Sequence, residues 1–370
     1  MRKTLLVFCV FGRLLVGAAW AATFQSTGLY QSFDQLTTWA AGLETANPNL
    51  VNVVQYGTTT SGRPLLALDI TVNPQVNDPS KPEFLFTAGI HAREVITSDA
   101  AMSLANTLVT GYRSGDPLYQ DMLSTRDVWI IPDQNPDGRV VVEAGRSDQR
   151  KNMHWYPGQN PADFTCGVDL NRNYPHKWIL ASTDVLDETY RGPSVFSEPE
   201  SSSLWTLLND HHYFSHLLAG IDFHSGAATI LSPWTSPTDF SQNPLPTADR
   251  QKFDFLADRM QQLTGYSTQR LGYDSWGTLT DSLYEQFHAY AFTEEIYVGP
   301  FLDYFTYFNP IDRPTYNTAV DNAVNSAMFL LSNEAFALPE PSTLVLLLAA
   351  AGIAWMAWSR CRGGKGSKGN

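Results

Sequence analysis

Apolar runs bounded by turn residues recur along the chain at Phe84–Ala88, Val128–Ile131, Leu217–Ile221 and Ala289–Val298. Their shortness and their β-branched and aromatic content predict buried strands. The stretches between them carry a different period. Ala101, Leu104 and Leu108 recur at helical spacing behind Ser98, a candidate N-cap. Ser197-Glu198-Pro199-Glu200 reads as a capping box with proline in the first turn, ahead of Leu204, Leu207 and Leu208. Ala319, Val320, Ala323, Val324 and Met328 predict a last amphipathic helix. Strands alternating with helices place the chain in the α/β class. The expected architecture is a single domain with an open mixed, mostly parallel sheet flanked by helices on both faces. Ligands of such sheets bind beyond the carboxyl ends of the strands, so the residues just after each run matter most.

The two ends of the chain follow other rules. Arg2 and Lys3 precede an apolar run that closes on Ala19-Trp20-Ala21, the pattern of a signal peptide over residues 1–21. Near the other end, Pro339-Glu340-Pro341 leads into a charge-free stretch over 342–358, then Arg360, Arg362, Lys365 and Lys368. An apolar segment followed by cations predicts a membrane span with a basic cytoplasmic tail. Residues 337–370 as a whole resemble the PEP-CTERM sorting signal of Gram-negative bacteria. That resemblance implies export across the inner membrane, handling by exosortase-type sorting machinery, and a membrane-anchored, cell-surface or extracellular destination.

Residues 22–336 remain for one folded domain. Net charge is −13 for the whole chain, but seven of the 24 basic residues and no acids lie in 1–21 and 342–370. Residues 22–341 therefore carry 17 basic against 37 acidic residues, a net of −20, which repels phosphate backbones and argues against nucleic acid as a partner. Only Cys166 falls in this part, so no internal disulfide is expected there and its thiol reads as a small buried hydrophobe.

Candidate chemistry clusters at the strand exits. After the first run comes His91-Ala92-Arg93-Glu94, and after the third comes Asp222-Phe223-His224-Ser225. Two imidazoles and one carboxylate make a three-ligand zinc set with one position open to water, the catalytic rather than the structural pattern. Taken alone, His-x-x-Glu suits an exposed turn equally well. The company is more specific. Gly167-Val168-Asp169-Leu170-Asn171-Arg172 and Arg150-Lys151-Asn152 bring guanidinium and amide groups that can clamp a carboxylate. Asn135-Pro136-Asp137-Gly138 predicts a turn after the second run. His154, His176, His216 and His288 have no acidic or histidine partner at a useful spacing and read as surface or core residues. His211 and His212 read as the end of the helix that begins at Ser197.

Together these motifs, over roughly residues 28–333, resemble the carboxypeptidase A-like zinc metallocarboxypeptidases. The resemblance implies that 22–336 is the catalytic domain of a secreted exopeptidase that removes C-terminal residues with one zinc ion per chain. It makes His91, Glu94 and His224 the metal ligands and Asp169 the acid that holds a ligand imidazole. Glu295, the last residue of Phe292-Thr293-Glu294-Glu295, becomes the general base, with Glu294 on the opposite face of the strand. Arg150, Asn171 and Arg172 would grip the substrate carboxylate, and Arg150 would also steady the oxyanion. Arg93 would serve an upstream subsite, and Tyr273 would close over the bound end. Thr280 matches the position that sets side-chain preference and, being neither acidic nor bulky, implies neutral or apolar terminal residues. No inhibitory pro-segment is expected between the signal and the catalytic pattern. Two other readings stay open: a zinc peptidase acting on cell-wall peptides, and a non-catalytic surface module on the same fold.

Overall fold

The computed structural model describes residues 28–210, 213–270 and 272–336. The signal peptide, His211, His212 and the sorting signal with its span at 342–358 lie outside the described residues. Seven strands form one mixed sheet: β1 (Val51–Thr58), β2 (Pro64–Ile70), β3 (Glu83–Thr87), β4 (Asp127–Ile131), β5 (Leu217–His224), β6 (Thr229–Leu231) and β7 (Tyr290–Glu295). The order is β1-β2-β4-β3-β5-β7-β6. The central pairings β4–β3, β3–β5 and β5–β7 are parallel, while β1–β2, β2–β4 and β6–β7 are antiparallel. The parallel strands are those whose apolar runs stand out in the sequence. Strands buried on both faces must be continuously apolar, whereas β1 is only partly buried and β6 is three residues long.

Eleven helices accompany the sheet among the described residues: α1 (Phe33–Ala46), α2 (Ile96–Arg113), α3 (Pro117–Thr125), α4 (Pro136–Glu143), α5 (Pro199–Leu208), α6 (Pro237–Gln242), α7 (Thr247–Thr264), α8 (Leu279–Phe287), α9 (Tyr304–Phe308), α10 (Arg313–Leu330) and α11 (Asn333–Phe336). The last of these belongs to a separate unit that begins at Ser332. Strand alternation divides the core between two faces. Leu85, Trp129 and Ala291 pack with Leu204 and Leu207 of α5 and Leu279 and Leu283 of α8. On the other face Phe86 stacks on Phe223 and Phe292 meets Phe253 of α7 edge-on, with α2 and α10 alongside. Each of the buried leucine and phenylalanine side chains among these stabilises the fold by about 1.5–3 kcal/mol.

Local capping differs from the sequence pattern in three places. Helix α2 begins at Ile96, one turn early, so Ser98 lies inside it and accepts from Arg139 instead of capping. At α5 the N-cap is Glu198 and makes no side-chain cap bond; the Ser197 hydroxyl donates to the Glu198 carboxylate at 2.7 Å. Asn135 caps α4 by accepting from the Gly138 N–H at 3.1 Å, so the Asn-Pro-Asp-Gly run opens a helix rather than forming a free turn.

Between α4 and α5, residues 144–198 hold only two single-turn 3₁₀ helices, yet much of this stretch is buried. Side chains replace the missing secondary structure. The fully buried Lys151 ammonium donates to the carbonyls of Thr165 (2.6 Å) and Asp187 (3.0 Å). Asn152 donates to Glu198 at 2.8 Å and accepts from the Val168 N–H at 2.8 Å. Glu198 also meets His154 at 2.9 Å, and His176 meets Asp239 at 2.8 Å while stacking on Trp234. Both histidines therefore do have acidic partners, contributed from far along the chain. Cys166 is buried and free.

Candidate metal centre and catalytic cleft

The parallel strands β3, β5 and β7 end side by side, with Thr87 opposite Asp222 and His224 opposite Glu295. That register is what gathers the site. Just beyond β3, Gly89 adopts φ +70° with the Asp133 backbone and carboxylate so close that any Cβ would collide. The chain can then double back and turn His91 and Glu94 toward β5.

His91, Glu94 and His224 are all buried, and their ligand atoms lie within 4.8 Å of one another. His91 Nδ1 is 2.8 Å from Glu94 Oε1 and 3.0 Å from His224 Nδ1, which is itself 3.1 Å from Glu94 Oε2. Both outward nitrogens face carboxylates. His91 Nε2 lies 3.3 Å from Asp169 Oδ1, and His224 Nε2 lies 2.9 Å from Asp222 Oδ2. The Asp222 carboxylate bonded to His224 Nε2 favours the proton there, Asp169 faces the equivalent nitrogen of His91 at ion-pair distance, and both Nδ1 atoms face inward. Two imidazole lone pairs and a carboxylate converging on one point are the donor set zinc takes, so these residues fit that ion. Burial would raise the Glu94 carboxyl, but the neighbouring imidazoles outweigh it and hold it far below the ordinary range.

Asp169 is the hub of the second layer. Its Oδ2 accepts from Arg150 Nε (2.9 Å) and Nη2 (2.8 Å), while Oδ1 accepts the Asn171 N–H at 3.0 Å. Burial opposes its ionisation, yet Arg150 and Arg172 hold its carboxyl well below the usual value. The Asn171 side chain reaches His224 Nε2 at 3.3 Å and accepts the Leu279 N–H at 2.9 Å. Arg172 is buried, donates to the Asn171 carbonyl at 2.7 Å, and touches Ser275 Oγ at 3.4 Å. Gly277 lets the strap carrying Ser275 and Thr278 pass: at φ +70°, its missing Cβ would sit 2.5 Å from the Arg172 carbonyl.

One cavity joins these groups. It is lined by His91, Arg150, Asn171, Arg172, His224 and Glu295, and further by Tyr273, Leu231, Thr235, Ser275, Thr278 and Thr293. Tyr273 is 56% exposed. Glu295 Oε2 is buried with no hydrogen-bond partner among the described residues, and burial, helped by the Glu94 charge, pushes its pKa up to about 7. Glu294 points away and accepts from Ser326 of α10 at 2.8 Å, as strand alternation requires.

Glu94 and Asp169 stand behind this lining, and two of the expected substrate-binding residues, Arg93 and Thr280, also lie outside it. Arg93 is buried against Glu188 (3.2 Å) with its guanidinium over the Phe308 ring at 4.5 Å. Thr280 is 1% exposed and bonds Thr293 at 2.8 Å, so it reaches the cavity only through Thr293. The sequence reading missed Asp222, although it lies two residues before His224 on the same strand and hence on the same face. It missed Thr293 too, which stands in the same relation to Glu295. Leu231 ends the short β6 and Thr235 follows it, and neither carries a pattern that singles it out.

The family model described as zinc carboxypeptidase, Peptidase M14, matches residues 36–310. The chain belongs to the zinc carboxypeptidase family. Zinc carboxypeptidase A 1 of Drosophila melanogaster is 29% identical over 267 residues, covering 71% of this chain and 58% of that protein. An inactive metallocarboxypeptidase of Saccharomyces cerevisiae is 30% identical over 212 residues, covering 57% and 48%. The chain thus spans about half the length of these curated relatives. The crystal structure of the carboxypeptidase A from Helicoverpa armigera superposes with a TM-score of 0.66 at 25% identity, covering 81% of this chain and 74% of that one. That carboxypeptidase A accordingly shares the fold seen here. Among the described residues no helix is long and apolar enough to cross a membrane.

Proposed function

We propose that this protein is a zinc-dependent exopeptidase that hydrolyses the C-terminal peptide bond of peptides and proteins. One observation carries the reading: Glu295, half-buried with its Oε2 buried and unpartnered among the described residues, shares a cavity with the two imidazoles of the metal triad and an Arg–Asn clamp. The chemistry a bound zinc supplies at such a triad is polarisation of a carbonyl and acidification of a water. The chain's own groups do the rest. Glu295 takes the proton of the attacking water and delivers it to the leaving amine, a task suited to a carboxyl that titrates near neutrality. Asn171 and Arg172 hold the terminal carboxylate of the substrate. Arg150, kept charged by Asp169, stabilises the developing oxyanion. Asp169 and Asp222 keep the two imidazoles oriented. Exopeptidase rather than endopeptidase action follows from Arg172, whose buried guanidinium would lose its anionic partner in any internal peptide.

Leu231 and the neutral hydroxyls of Thr235 and Thr293, bonded to Asp281 and Thr280, share the cavity wall with the charged groups of the site, Arg150, Arg172 and Glu295. Terminal residues with neutral or apolar side chains fit such a wall. Tyr273, exposed at the lining, is placed to cover the bound end. Arg93 serves the upstream side of the substrate only if it leaves Glu188. The terminal segments add the proposal of an exported enzyme: a signal peptide over 1–21 and a PEP-CTERM-like signal over 337–370, spanning the membrane at 342–358 and read by exosortase-type machinery at a Gram-negative surface.

The test is zinc content by metal analysis and amino-acid release from C-terminal peptides, for the wild type and Glu295→Gln. Equal zinc in both, with release only by the wild type, is the expected result. Equal release by both would remove Glu295 from its role. No release by a zinc-loaded wild type would favour the second reading, a non-catalytic module like the inactive yeast relative. Release from muropeptides but not from ordinary peptides would instead select the cell-wall reading.

A further inference from the structure

The sheet buries a second polar cavity at its other end. It is lined by Asn52, Asp69, Asn77, Asp127, Trp129 and Tyr213 among others, and encloses about 600 Å³ including its opening. Strand register builds it. Asp69 of β2 sits opposite Asn52 of β1 and Trp129 of β4, and Asp127 lies two residues before Trp129 on the same face. Asp127 is the first residue of β4, whereas the metal triad lies beyond the opposite, carboxyl ends of the parallel strands.

Asp69 and Asp127 are 3% and 7% exposed, and Oδ1 of each is buried without a hydrogen-bond partner among the described residues. Such unpartnered acceptors are costly in a protein interior, far more so on a pair of like charges. The nearby cation does not complete them. Lys81 donates to Thr71 Oγ1 (3.0 Å) and the Val72 carbonyl (3.1 Å), and its charge acts on the two carboxyls only from beyond ion-pair distance, opposing the upward push of burial without overcoming it. Glu83 in the same row is engaged by the Ser215 N–H at 2.7 Å. A proton shared between Asp69 and Asp127, consistent with both titrating above the ordinary range, relieves their repulsion but leaves both Oδ1 atoms without a hydrogen-bond partner.

We propose that this cavity is a binding site for a hard divalent cation such as Ca²⁺, held by Asp69 and Asp127 with the side-chain carbonyls of Asn77 and Asn52. The chemistry of the walls selects the ion. All four residues offer oxygen, none offers sulfur or imidazole, and calcium takes six to eight oxygen ligands with waters completing the shell. The site ties β1, β2 and β4 to the loop carrying Asn77, so its effect is on stability, and it is independent of the proposed peptidase chemistry.

The indole of Trp129 in the cavity wall provides a direct reporter. Zinc-loaded full-length protein, with zinc kept in the buffer, is titrated with Ca²⁺ by thermal unfolding and with Tb³⁺ by tryptophan-sensitised luminescence. A Tm rise of about 5 °C at a hundredfold excess of Ca²⁺ over its Kd is expected, together with Tb³⁺ emission that Ca²⁺ displaces. Asp127→Asn should abolish both responses, while Trp129→Phe should lose the emission and keep the Tm rise. A wild type whose Tm and Tb³⁺ emission do not respond to millimolar Ca²⁺ overturns the proposal. So does an Asp127→Asn protein, or an Asp69→Asn protein should the former not fold, that responds as the wild type does.

Discussion

At the carboxyl ends of β3 and β5, buried acids meet cations or imidazoles: Glu94 faces His91 and His224, Asp169 faces Arg150, and Asp222 faces His224. At the amino end of β4 the neighbours are different. Asp127 meets Asp69, and both carboxyls are pushed upward, first by burial, while Glu94 and Asp169 are held low although they are at least as deeply buried. Burial is common to both ends, so the company of each carboxylate decides the direction. Glu295 stands between the two cases. It lies at the compensated end, yet its Oε2 has no partner and it titrates near 7, as a group that must gain and lose a proton requires.

Glu295→Gln should lower kcat/KM by about a thousandfold with zinc content unchanged. In the wild type Glu295 acts only when ionised, so kcat/KM should rise with pH through its titration. Bound zinc, a nearby positive charge, would draw that limb below about 7. Next in size is Arg172→Ala, with a loss of roughly a hundredfold on free-acid peptides. Its sharper signature is a lost preference for the free acid over the C-terminal amide, since only the acid needs the guanidinium. Asp222→Asn should weaken zinc by about tenfold to a hundredfold in competition with a chelator, because it frees the far nitrogen of His224.

The smallest effect on turnover belongs to the other end: Asp69→Asn should leave kcat/KM within about twofold. Its readout is stability against pH. A folded-state pKa of about 10, above the unfolded value near 3.9, means that the stability linked to this carboxyl is fully present at low pH and drains away as pH rises toward about 10. In calcium-free buffer the variant should therefore gain on the wild type steadily from pH 5 to pH 9 in denaturant titrations. Parallel curves would mean that Asp69 has found a partner in solution.

The parts of this molecule that read clearly in sequence are those where one residue type does one job. The four central strands announce themselves because both faces are covered. Glu294 and Glu295 separate because a strand alternates. The edge strands β1 and β6 hide because half-burial and brevity blur the period. The clamp region hides for another reason: its order comes from side chains bonding to distant backbone, as Asn152 does to Val168 and Asn173 does to the Arg191 carbonyl. Spacing cannot reveal such pairs, nor His154–Glu198 and His176–Asp239, whose members lie 44 and 63 residues apart. Asp222 could have been found, since position i−2 on a strand is a neighbour in space.

Lys151 sits in that same irregular region, its ammonium enclosed by main-chain carbonyls, and burial lowers its pKa. An amine so enclosed is shielded from acylating reagents for as long as the surrounding loops stay closed. Its rate of modification is therefore a clock for local opening. Because Arg150 precedes it directly and Asn152 follows, that clock times the loosening of the carboxylate-binding region well before the sheet itself gives way.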